Sequence, residues 1–119
     1  MIKTRFDNSE VWETKDKEYE ISKMETAHII NLLRMFKAKP MVVMRILLDS
    51  VEESCFSFSR NKKKEALYEI TSMSEEELID VAMNSVLVAA LYDQLEERGV
   101  NIVNIENMLN GLTIEREDK

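Results

Sequence analysis

His28 is the only histidine in the 119-residue chain, and it stands between Glu25 and Asn31 at three-residue steps. On a helix such steps put the three side chains on one flank, a polar cluster from which a general base could be drawn. General-base catalysis also needs a nucleophile, a second base or a metal shell within reach. The neighbouring sequence supplies none of these. The expectation is therefore that His28 hydrogen-bonds an overlying hairpin and holds it down, with catalysis by His28 as a distant rival. A zinc site would have to add carboxylates from elsewhere to this histidine and the single Cys55, so neither metal nor cofactor is expected.

The second cluster with chemical potential is Arg60-Asn61-Lys62-Lys63-Lys64. If a helix begins near Lys62, three ammonium groups crowd its positive end, against the dipole, and something negative would relieve them. Backbone N–H groups and lysines together make a phosphate or carboxylate receptor, and Phe56 and Phe58 nearby can stack on a base. This reading competes with a solvated basic loop whose charges meet an acidic C-terminal half. The carboxylate runs Glu52-Glu53, Glu75-Glu76-Glu77 and Glu96-Glu97 do not form acid–base pairs by themselves, because adjacent helical side chains diverge by about 100°. They read as solvated faces and helix-end caps.

Composition narrows the classes. A lone Cys55 permits no intrachain disulfide and no CxxC knuckle, so it reads as a small buried hydrophobe. Net charge is −7, unevenly spread: residues 1–64 hold 13 basic and 10 acidic side chains, residues 65–119 hold 3 and 13. General duplex-DNA binding demands a strongly basic domain and is not expected. No run reaches the roughly 18 to 20 apolar residues of a membrane span, and the N-terminus lacks the apolar core of a signal peptide, so the expected location is cytoplasmic, without membrane attachment.

Two glycines and one proline favour long helices with brief joints, hence a mainly α fold: a bundle of four to five helices with an N-terminal β-hairpin, in one domain. Residues 12–21 are expected to form a hairpin lid, 22–111 a helical core and 112–119 a solvated tail. In the hairpin, Trp12 should lie on the following helix. Ser22 with Glu25 three positions later signals helix entry by its capping-box spacing, with Glu25 or Thr26 as the alternative start of the regular turns. Ile29, Leu32, Leu33 and Phe36 then form a stripe that ends before Pro40, which opens a second helix containing an Arg45–Asp49 pair one turn apart. Ser54–Arg60 reads as a connector and about Lys62–Thr71 as a short helix with Ala66, Leu67 and Ile70 inward. Ser74 should cap a single helix running to Arg98 and stopped by Gly99, followed by a short one over Asn101–Asn110.

Apolar residues cover nearly all of the helix after Pro40, and no charge interrupts residues 81–92. Such helices expect neighbours on several sides. Homo-oligomerisation through Met41, Met44, Leu48, Val86, Leu87 and Leu91 follows as an expectation, with eight methionines available as core filler or adaptable surface.

The run Trp12-x-Thr14-Lys-Asp16 … Ile21-x-x-Met24-x-x-x-His28-Ile-x-Asn31 … Leu33-Arg34-Met35 resembles a pattern common in small accessory proteins of tailed bacteriophages, and Leu91-Tyr92-x-x-Leu95-x-x-Arg98-Gly99-Val100 echoes the segment that often closes them. The two matches cover about a third of the chain, and Lys17 stands where the pattern usually has a turn glycine. The resemblance implies a phage protein acting by stoichiometric binding in the cytoplasm of an infected bacterium. The expected function is noncatalytic modulation of a host protein, such as a defence or metabolic factor. The alternative is an oligomeric binder of a small anionic ligand such as a nucleotide signal.

Overall fold

The computed structural model describes residues 4–53 and 60–112, and within them six helices carry one N-terminal hairpin. Strands β1 (Val11–Glu13) and β2 (Glu18–Glu20) pair antiparallel with Trp12 opposite Tyr19. The turn between them works without glycine. Thr14 Oγ1 accepts from Lys17 N at 3.0 Å, and Thr14 N donates to Lys17 O at 2.8 Å, so a threonine side chain closes the loop and no residue there needs positive φ.

Helix α1 (Thr26–Ala38) buries Ile29, Leu32, Leu33 and Phe36, the expected stripe. Trp12 lies on it as a lid: its ring meets that of Phe36 edge-on at 5.6 Å, and Phe6 meets the same ring at 5.3 Å. Phe6 is an anchor that sequence reasoning missed. Its signal was Thr4-x-x-Asp7, a reciprocal cap on the 3-10 turn Arg5–Asp7. Ser22 is not the cap of α1. Glu25 holds that position without a side-chain bond, because Ile21 is tied to Glu10 O at 2.9 Å and buried, which winds Ile21–Lys23 into a 3-10 turn. Arg98 secures the join from the far end of the chain, donating to Thr26 Oγ1 at 3.0 Å and to Ser22 O at 3.2 Å.

Pro40 begins α2 (Pro40–Glu53) as expected. The anticipated Arg45–Asp49 pair is replaced: Asp49 faces Arg5 and Lys15, each at 3.9 Å, while Arg45 is exposed. Helix α3 (Arg60–Thr71) starts two residues before Lys62 and turns Ile70 fully and Ala66 and Leu67 partly inward. Phe56, Phe58 and Cys55 lie outside the described residues, as do residues 113–119.

The largest departure is the expected helix from Ser74 to Arg98, which is two helices, α4 (Glu75–Met83) and α5 (Val86–Glu97), bent by 53°. Ser74 does form its capping box with Glu77. At the break, the Ser85 hydroxyl accepts from Val88 N at 3.2 Å and donates to Ala82 O at 2.5 Å, serving one helix end and the other at once. Such local side-chain bonds compete with continued helix. The bend lets Leu78, Ala82, Leu87, Val88, Leu91 and Leu95 all enter one core cluster. Ser85→Ala should cost about 1 kcal/mol in chemical denaturation, the ordinary worth of an N-cap, even though alanine has the better helix propensity. A stabilised variant would mean that the break is imposed by packing alone.

Gly99 takes φ +77 as α5 ends, with Gly99 N donating to Glu96 O and Val100 N to Leu95 O, a left-handed stop. Helix α6 (Ile102–Asn110), capped by Asn101, closes the core with Ile105 and Leu109. Among the described residues no single helix is long and apolar enough to cross a membrane.

Candidate functional site

The N-terminal segment Thr4–Val11 threads between α2 and α5, and two clefts open on either side of it. Asn8 shapes the segment. Its Oδ1 accepts from Glu10 N and Val11 N, both at 2.9 Å, and its Nδ2 donates to Glu13 Oε1 at 3.5 Å. This Asx turn sends Glu10 outward just before β1 begins.

One cleft, of about 410 Å³, is walled by Asp7, Glu10, Glu13 and Glu53 and floored by Arg5 and Ser50. The Arg5 side chain is only 8% exposed and donates to Glu53 Oε1 at 2.5 Å, with Asp49 at 3.9 Å. Its backbone N–H donates to Ser50 Oγ at 3.3 Å, and Ser50 donates in turn to Ile46 O at 2.9 Å. Arg5 is thus consumed in building the floor, and its charge is offset by α2. The second cleft, of about 520 Å³, lies between the hairpin and α5: Glu10, Glu20, Asp93 and Glu97 rim it above Val11, Ile21 and Ala90. Ser9 and Glu10 belong to both clefts. Glu20 pairs with Lys23 at 3.3 Å, whereas no cation among the described residues pairs with Glu10, Asp93 or Glu97.

Carboxylates gathered this way attract cations and repel nucleic acid. They do not assemble a metal site, since among the described residues no three His, Cys, Asp or Glu side chains converge closely enough to hold an ion.

Comparison with protein-family models, with curated proteins and with solved structures gives no match. The surface must therefore be read from its own residues.

The sites expected from sequence lie elsewhere. His28 does brace the hairpin, but through its ring: it meets Tyr19 edge-on at 5.1 Å in place of the expected hydrogen bond. Glu25 and Asn31 are exposed on either side of it, with no hydrogen bond joining the three. In the basic cluster, Lys63 is drawn onto Glu52 at 3.3 Å, and Arg60 and Lys64 are exposed on the first turns of α3. Lys62 lines a separate groove beside α2. Of the residues expected at an oligomer interface, Leu87 and Leu91 are corrected to core, at 0% exposure, because the bend at Ser85 turns α5 inward. Met44 and Leu48 are half-buried against the same core, leaving Met41 and Val86 as exposed members.

Burial pushes the Tyr92 phenol above the ordinary 10.0, and the Glu106 carboxylate adds to the effect. The unfolded phenol then ionises at lower pH than the folded one, so stability declines as pH rises through about 10. Thermal melts between pH 9 and 11 should fall more steeply for the wild type than for Tyr92→Phe. Parallel curves would contradict the assignment.

Proposed function

We propose that the chain is a noncatalytic bacteriophage accessory protein that binds a host protein, such as a defence or metabolic factor, and alters its behaviour in the bacterial cytoplasm. The observation that supports this reading best is the pair of acidic clefts joined at Ser9 and Glu10, where Glu10, Asp93 and Glu97 have no cationic partner among the described residues. Carboxylates held by a rigid Asx turn and a well-packed helix are preorganised for lysine or arginine side chains, and such complementarity speeds encounter and excludes acidic competitors. The partner is therefore a protein that presents a cationic segment. The resemblance to phage accessory proteins favours stoichiometric binding of this kind.

The test uses the whole chain carrying Glu10→Lys and Glu97→Lys. Both positions are exposed, so folding should survive. The wild type, immobilised against bacterial lysate and cross-linked, should recover the same protein in repeated trials, and the double variant should lose it. Equal recovery by both, or reproducible recovery of nothing by the wild type, would overturn the proposal.

A further inference from the structure

On the far side of Thr4, which also borders the Arg5 cleft, a groove of about 350 Å³ runs between α2, α3 and α4. Its floor and walls are Leu47, Val51, Ala66, Ile70, Met73 and Val81. Along α3 the lining repeats at helical steps from Lys62 through Ala66 to Ile70, eight residues or about 12 Å, slightly more than two turns. Ala66 is the small member of that row, and its missing bulk opens a hole between Lys62 and Ile70. A hole at that spacing beside a helix is the counterpart of a knob from a second helix. Val81 remains 37% exposed at the edge.

The rim carries the charge. Glu65 and Glu69 stand one turn apart, both exposed and without an ion pair among the described residues. We infer that this groove receives a cationic amphipathic helix of a partner protein, seating two apolar side chains one turn apart over Ala66 and setting lysines or arginines against Glu65 and Glu69. A second copy docking through α6 fits the rim poorly. The exposed apolar residues of α6, Val103 and Met108, flank Glu106, and would bring a carboxylate to a carboxylate between molecules of net charge −7. The inference goes beyond the proposed function by assigning an apolar subsite separate from the acidic clefts, and it stands or falls separately.

The probe is a fluorescein-labelled Leu/Lys helical peptide of roughly 14 residues, with a Leu/Glu counterpart, followed by anisotropy at about 0.15 M salt. The wild-type protein should bind the Leu/Lys peptide saturably and ignore the other. Ala66→Met, which fills the hole on a half-exposed helix face, and Glu65→Lys with Glu69→Lys, which reverses the rim, should each weaken binding by at least about tenfold. The acidic clefts also attract lysine, so the site is read from the part of the binding that Ala66→Met removes, and the Glu10→Lys, Glu97→Lys protein should keep that part. The inference is overturned if the Leu/Glu peptide binds equally, if Ala66→Met leaves affinity unchanged, or if Ala66→Met has no further effect in the Glu10→Lys, Glu97→Lys background. Sedimentation showing a wild-type dimer that Ala66→Met dissociates would overturn it too, by giving the groove to a second copy.

Discussion

Replacing Phe36 by alanine should lower the unfolding free energy by about 3–5 kcal/mol, the largest loss expected from any single truncation in the chain. Phe36 is fully buried on α1, and its ring receives two edge-on aromatic contacts, from Phe6 at 5.3 Å and from Trp12 at 5.6 Å. Those partners belong to the 3-10 turn and the hairpin, elements too short to persist in water without a surface to cover. The cavity would therefore loosen both of them along with the core. Because Asn8 and Glu10 lie on the segment between Phe6 and Trp12, the acidic clefts should lose their shape as well. Urea denaturation with Trp12 fluorescence reports the change directly, since Trp12 is the only tryptophan. A loss under about 1 kcal/mol would mean that the lid docks by other contacts, for a void of this size cannot be left at so small a cost.

Leu91→Ala should cost about 2–5 kcal/mol, and the cost should be independent of protein concentration. Leu91 is fully enclosed by its own chain, so truncating it removes buried methyl groups and leaves a cavity inside one molecule. Had it lain at an interface between copies, the loss would appear as weakened association, and the apparent stability would rise with concentration. Met41→Ala, at a side chain 41% exposed, supplies the contrast, since exposed substitutions usually stay within about 0.5 kcal/mol. Melts of both variants over a hundredfold range of concentration separate the alternatives. A concentration-dependent Leu91→Ala would restore α5 to an interface.

The same residue shows why apolar content alone does not place a side chain. An uncharged run from Val81 to Tyr92 looks, in one dimension, like a helix with more greasy surface than one molecule can cover. Burying Leu87 and Leu91 depends on a bend at Ser85, which still leaves Val81 and Val86 exposed, and the bend depends on a hydroxyl choosing two backbone partners that composition cannot rank. Helix starts and stops were more legible. Ser74, Gly99, Asn101 and Pro40 act through bonds or steric limits within a few residues of themselves, and each does so here. Ser22 had the right spacing and lost because Ile21, pinned to Glu10 O, wound the chain into a 3-10 turn first.

What the chain determined by itself was local: a mainly helical class, the hairpin, the stripe of α1 and most of the caps, all set by contacts a few positions apart. Only tertiary structure decided the surface. Glu10 and Glu20 come from the half of the chain with net positive charge, Asp93 and Glu97 from the strongly negative half, and they share a cleft because the hairpin folds over α5. Linear charge counts blur such a grouping, since Coulomb attraction depends on distance through space. Arg5 is buried against Asp49 and Glu53, and Lys63 pairs with Glu52 at the surface, while Glu10, Asp93 and Glu97 are left at the cleft rims without a cationic partner among the described residues.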